Sequence, residues 1–202
     1  MATVSARSVP GLPEVRAGDD LAGLIVRALA GEQLRDGQVV AVAHKVVSKA
    51  EGAVVALAHV SPSERARALA AELDKDPRAV QVVLDESAEV LRAERGVLVC
   101  RTRLGFVCAN AGVDASNAPS PDTLVLLPRD PDDSARRIRA RLRELTGRAP
   151  AVLLSDSFGR PWRHGQLDVA VGLAGTGTSA MQTRAVLGRG ERPPLLSISS
   201  SR

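Results

Sequence analysis

The sequence predicts an α/β fold. Short, nearly continuous apolar runs at 39–47 (VVAVAHKVV) and 151–154 (AVLL) read as buried strands, and capped segments of helical period lie between them. Both runs end in polar stretches, Ser48-Lys49-Ala50-Glu51-Gly52 and Ser155-Asp156-Ser157. The carboxyl ends of buried strands are where open α/β sheets place their ligands.

The elements follow in order. Residues 9–14 (VPGLPE) form a loop, because two prolines fix φ around a glycine that tolerates any φ. The loop is either a simple turn or a rigid rim that offers N–H groups to a ligand. Asp19 or Asp20 caps a first helix with the stripe Leu21, Leu24, Ile25 and Leu29. The strand at 39–47 carries His44 and Lys45 inside its apolar run and delivers Ser48 and Lys49 to its carboxyl end. Lys49 is a point charge suited to phosphate.

Ser61-Pro62-Ser63-Glu64 is a capping box with proline at the first helical position, and its helix reaches Leu73. Asp76-Pro77 opens another helix, whose apolar positions run through Val80, Val83, Leu84, Val90 and Leu91 and whose wet face holds Asp85, Glu86 and Glu89. Residues 96–102 form a strand, and 105–109 return antiparallel to it, making Cys100 and Cys108 cross-strand neighbours. A short strand spans 124–127. A helix over 135–146, capped by 130–134 and ended by Gly147, buries Ala135, Ile138, Leu142 and Leu145.

The chemistry concentrates in two stretches, 105–117 (GFVCANAGVDASN) and 155–166 (SDSFGRPWRHGQ). Phe106, Phe158 and Trp162 are the aromatic residues of the whole chain, and all lie there beside Asp, Asn and Arg. Asp114 and Asn117, three apart, offer a carboxylate and a carboxamide oxygen, a ligand set for a hard cation. Asp114 as the cap of a short turn fits the same spacing. Asp156 suits a divalent ion, and Arg160 and Arg163 suit phosphate or carboxylate. Asp114 and Asp156 together are a minimal clamp for a metal–nucleotide complex. No Walker A or dinucleotide fingerprint occurs, and Gly172, Gly175 and Gly177 form only a loose cluster.

Composition excludes other classes. A chain of 202 residues makes one large domain or two small ones. No apolar run of about 18 residues is present, so no membrane span is expected. The first residues lack the apolar core of a secretory signal, and a cytoplasmic location is expected. Two cysteines without metal-type spacing predict neither a disulfide framework nor a structural zinc. Residues 174–202 hold four arginines against one glutamate, which is three of the four net positive charges, so no broad cationic face for nucleic acid is predicted.

Taken together, GLPE at 11–14, VVSKAEG at 46–52, PSERA at 62–66, GFVCANAGVDASN at 105–117, DPDDSARR at 130–137 and SDSFGRPWRHGQ at 155–166 resemble the coenzyme F420-0:L-glutamate ligases. The resemblance covers about residues 8–175. It implies a mixed α/β sheet with flanking helices, an intertwined homodimer, and GTP-dependent γ-glutamyl ligation with Mn²⁺ or Mg²⁺ at two sites, assisted by K⁺. The carboxylate of coenzyme F420-0 would be phosphorylated by GTP, and the amine of L-glutamate would displace phosphate from the acyl phosphate. By position, Pro10, Gly11, Leu12, Pro13, His44, Lys45, Lys49 and Asn117 would contact nucleotide, and Asp114, Asp156 and Ser157 would bind metal. The family often has Ser-Thr or Thr-Ser where His44-Lys45 stands, and Thr where Ser157 stands.

The expected domain therefore spans 1–175 and is incomplete, because a family segment with another metal-binding acid has no counterpart after Gly175. Residues 176–202 read as a disordered non-family tail, which a frameshift or truncation near Ala174 would produce. Two functional readings stay open: the active ligase, and a catalytically dead remnant that binds only nucleotide or a partner subunit.

Overall fold

The computed structural model describes residues 5–159, 166–175 and 195–198, which fall into two units. The first unit draws on Met1–Gly52, Pro128–Asp156 and Val169–Arg202, and the second on Ala53–Leu127 and Ser157–Asp168.

The first unit is organised by β1 (Arg7–Ser8), β2 (Val39–Ala43), β8 (Ala151–Gly159), β9 (Gln166–Ala174) and β10 (Leu195–Ile198). Their order in the sheet is β1-β10-β2-β8-β9. The pairings β1–β10, β10–β2 and β2–β8 are parallel. Val40, Val42, Val152 and Leu154 on the two central strands are buried, as the near-continuous apolar runs require. Residues 195–198, within the stretch expected to lack structure, form β10; the remainder of 176–202 lies outside the described residues.

Two capped helices belong to this unit. In α1 (Leu21–Ala28) the Asp20 carboxylate accepts from Gly23 N–H at 3.1 Å, and Leu21 and Ile25 are buried. In α5 (Pro131–Thr146) Asp130 accepts from Asp133 N–H, proline occupies the first turn, and Gly147 closes the helix at φ +71°. Arg141 of α5 reaches Asp20 at 3.1 Å. The predicted stripe of α5 holds for Ala135, Ile138 and Leu142, but Leu145 in the last turn is 40% exposed.

The apolar run at 39–47 is not one strand. It divides after Ala43, and α2 (His44–Ala50) begins at once. A short apolar run fits a buried strand and a buried helix equally, so periodicity alone does not separate them. Here Val46 and Val47 are buried on a helix.

The second unit holds α3 (Glu64–Leu73), α4 (Pro77–Glu86), β3 (Val54–Ala56), β4 (Ser87–Glu94), β5 (Val97–Thr102), β6 (Val107–Ala109) and β7 (Thr123–Val125). β3 pairs antiparallel with β7, and β4-β5-β6 form an antiparallel sheet in which Cys100 faces Cys108, as expected. The core gathers Ala66, Ala70, Val80, Val83, Leu98 and Leu124.

Two expectations change in this unit. The cap of α3 is Ser63, which accepts from Ala66 N–H, so Pro62 precedes the helix and is not its first residue. The helix opened by Pro77 stops at Glu86, and Val90 and Leu91 belong to β4, where Val90 pairs with Cys100. An antiparallel partner overrides the helical spacing there. β3 has no counterpart among the sequence expectations.

The stretch 110–112 is backbone of unusual hand. Asn110, Ala111 and Gly112 have φ of +49°, +54° and +75° in succession. Buried Ala111 gains no conformational relief from a glycine or a local side-chain hydrogen bond, so its neighbours hold it there.

Two measurements check this architecture. A Cβ on Gly172 would lie 2.3 Å from the Pro131 carbonyl oxygen, a backbone atom that cannot swing aside. Gly172→Ala should therefore lower stability by about 1–3 kcal/mol, read as a fall in Tm. The Arg78 guanidinium holds the Asp76 carboxyl below its ordinary 3.8, with Arg78 N–H adding to the effect. A lowered folded pKa contributes stability above 3.8 that is lost as pH falls through the folded value. Asp76→Asn should thus flatten the acid limb of a denaturation-versus-pH series below pH about 5, and a limb identical to that of the parent chain would contradict the pair.

Candidate functional site

The register of two parallel strands builds the centre of the site. Ala43 of β2 pairs with Ser155 of β8, so the residues that follow, His44 and Asp156, stand side by side at the carboxyl edge. His44 Nε2 lies 3.1 Å from Asp156 Oδ1, with the histidine 1% and the aspartate 14% exposed. One helical turn later Ser48, also buried, places its Oγ 3.5 Å from His44 Nδ1. Although the Nε2–Oδ1 separation is within hydrogen-bonding range, Nε2 makes no hydrogen bond among the described residues. The two atoms are close, but the ring N–H direction misses the carboxylate oxygen.

Lys49 extends this edge. It is 4% exposed, and its Nζ donates to Glu14 Oε1 at 2.5 Å. A buried ammonium requires such a partner. Glu14 closes the loop that contains Pro10, Gly11, Leu12 and Pro13. Gly11 sits at φ +83°, Leu12 is half-buried, and the two prolines are exposed. Lys45, next to His44, is half-buried and takes part in interactions of its own.

The remaining predicted residues belong to the second unit. Asp114 is half-buried, and its carboxylate accepts from Ser116 N–H at 2.7 Å and Ser116 Oγ at 2.8 Å. The turn-capping reading of Asp114 is therefore realised, and the backbone of Asp114 bridges to Val125. Asn117 is exposed at φ +56°. Ser157 Oγ donates to Asp168 Oδ1 at 2.5 Å. Arg160, Trp162 and Arg163 lie outside the described residues, as does the side chain of Phe158.

The predicted set thus divides. Pro10–Pro13, His44, Lys45, Lys49 and Asp156 lie in the first unit, whereas Asp114, Asn117 and Ser157 lie in the second. Sequence reading missed Glu14 and Asp168, the partners of Lys49 and Ser157. The acid of the GLPE motif was the available signal for Glu14, since a buried lysine needs a carboxylate. No local signal marks Asp168, eleven residues from Ser157 across β8 and β9. An open hollow of about 540 Å³ lined by Glu32, Leu34, Arg35 and Arg148 contains none of the predicted residues.

What the first unit defines is an α/β protein, mixed in its sheet as expected, with a buried cation and a His–carboxylate pair gathered at the carboxyl edge of its parallel strands, the side on which this class takes up ligands. The chain belongs to the F420-0:gamma-glutamyl ligase family, whose sequence model matches residues 11–191. It is similar to the coenzyme F420:L-glutamate ligase of Methanothermobacter thermautotrophicus, with 49% identity over 175 residues, 85% of this chain and 69% of the relative. The enzyme of that name from Methanopyrus kandleri is 47% identical over 86% of this chain and 67% of its own length. That of Halorubrum lacusprofundi is 48% identical over 83% of this chain and 65% of its own. The chain therefore spans about two thirds of the length of these relatives.

The Lys49–Glu14 pair yields a direct test. Glu14→Gln removes the counter-charge of a buried ammonium while keeping an oxygen acceptor. Because Glu14 itself is largely exposed, the loss should be modest, about 1–2 kcal/mol. Chemical denaturation at neutral pH measures it.

Proposed function

We propose that this chain joins L-glutamate to coenzyme F420-0 through an amide bond with GTP as co-substrate, acting as a cytoplasmic homodimer. The observation that carries the reading is family membership, with about half of the residues identical to proteins named coenzyme F420:L-glutamate ligase. The charged edge of the first unit supports it. No described helix is long and apolar enough to cross a membrane.

In the proposed reaction a carboxylate oxygen of coenzyme F420-0 attacks the γ-phosphorus of GTP, and the bond to GDP breaks. The amine of glutamate then attacks the acyl carbon, inorganic phosphate leaves, and the amine gives up a proton. Phosphoryl transfer of this kind asks for positioning and charge neutralisation more than for covalent help from side chains. Lys49 supplies a fixed positive charge and would exchange Glu14 for a phosphate oxygen. The loop of Pro10, Gly11, Leu12 and Pro13 offers a rigid rim to the nucleotide, and His44, Lys45 and Asn117 complete the proposed contacts.

Donor types that divalent metal takes are present, although among the described residues no three of His, Cys, Asp and Glu gather at one point. In the first unit Asp156 stands beside a buried nitrogen that lacks a hydrogen bond among the described residues; in the second, Asp114 and Ser157 are oxygen donors of their own. Mn²⁺ or Mg²⁺ held by such residues, with K⁺ assisting, would neutralise charge on the phosphates. Ser116 orients the Asp114 carboxylate for that role, as Asp168 orients the Ser157 hydroxyl.

Incubating the chain with coenzyme F420-0, GTP, glutamate and Mn²⁺ should give a product heavier by one glutamyl residue in mass spectra. Asp114→Ala and Asp156→Ala should each lower the rate by about 10²–10³-fold. Unchanged turnover in either variant would remove its proposed metal role. GTP binding without product would instead describe a nucleotide-binding remnant.

A further inference from the structure

The pair at the strand ends has a property that neither residue has alone. His44 Nε2 is closed to solvent, is not hydrogen-bonded among the described residues, and lies 3.1 Å from a carboxylate oxygen. At the other side of the ring, Ser48 Oγ lies 3.5 Å from Nδ1, where it accepts in the Nδ1–H tautomer and donates in the other. With Nδ1 protonated, the Nε2 lone pair lies beside Asp156 and not along the line to its oxygen, and two electron-rich atoms at this distance repel unless something positive sits between them. Two neighbouring ligands of one ion, each bonded at about 2.1 Å, are separated by about 3 Å. The observed gap matches.

We propose that His44 Nε2 and Asp156 are joint ligands of one divalent transition-metal ion, and that the nitrogen makes the site discriminate against Mg²⁺. The proposal rests on the reading of Asp156 as a metal ligand and adds a donor of another kind to it. Imidazole favours transition ions, whereas Mg²⁺ favours oxygen donors and keeps its waters. Ser48 acts as a positioning residue by holding the tautomer, as outer partners of metal-bound histidines do. The helix start at His44 serves the same end, because the chain turns from strand to helix where the imidazole must lie beside β8.

The test uses the full chain stripped with chelator and loaded with MnCl₂ or MgCl₂. Electron spin-echo modulation of the Mn²⁺-loaded protein should show ¹⁴N coupling of a directly bound imidazole. Titration calorimetry should show tighter Mn²⁺ than Mg²⁺ binding. His44→Gln replaces the nitrogen donor by an oxygen donor in the same buried space. It should abolish the ¹⁴N coupling and weaken Mn²⁺ binding by at least about ten-fold, the loss that even an outer partner of a ligand causes. Mg²⁺ binding should stay within about two-fold, and a thermal melt would confirm that the variant is folded. Ser48→Ala keeps the imidazole and should weaken Mn²⁺ binding less than His44→Gln does.

Mn²⁺ binding that Asp156→Ala removes, but that shows no ¹⁴N coupling in the parent chain, would overturn the role of His44 and leave the ligase reading intact. Coupling that persists in His44→Gln would assign the signal to another histidine and overturn it equally. Absence of any Mn²⁺ binding would overturn both this proposal and the metal role of Asp156.

Discussion

The alignment of β2 with β8 is the constraint on which the first unit depends. Five consecutive residue pairs, from Val39–Ala151 to Ala43–Ser155, leave no freedom in which side chains meet at the end of the ladder. A slip of one residue would turn Val40, Val42, Val152 and Leu154 away from the faces on which they are buried. The hydrophobic core therefore sets the geometry of a polar pair at its edge. This separation lets apolar packing hold a charged edge in place without the edge having to stabilise itself.

Much of this was legible from residues alone, and the reasons are local. Helix α5 announces itself by Asp130, Pro131 and Gly147, whose effects act within one turn and need no tertiary partner. The pairing of Cys100 with Cys108 followed from a turn, with Gly105 at φ +84°, that returns the chain on itself. Two of the failures share one cause. At 39–47 and at 87–94 the spacing of apolar residues suits more than one structure, and distant partners decide. Val90 lies in a strand because Cys100 is opposite it, a fact absent from its own neighbourhood.

The site divides in the same way. Motifs named Lys49, Asp114, Asp156 and Ser157 because such residues in turn-rich stretches are chemically conspicuous. Their partners are less so: Glu14 has only its place in the GLPE motif to mark it, and Asp168 looks like any polar residue on a strand. His44 stood inside an apolar run, where a lone histidine is most simply structural. Only the strand register shows that its ring adjoins a carboxylate.

The successive left-handed positions at Asn110, Ala111 and Gly112 bear on how this chain can change over time. Branching at the β-carbon is sterically barred from such a conformation, and Leu127 already fills the space beside Gly112. The segment leading to Asp114 is consequently closed to most of the genetic code. Sequence drift there is limited to a handful of small or carboxamide-bearing residues, whatever pressure acts on the chemistry downstream.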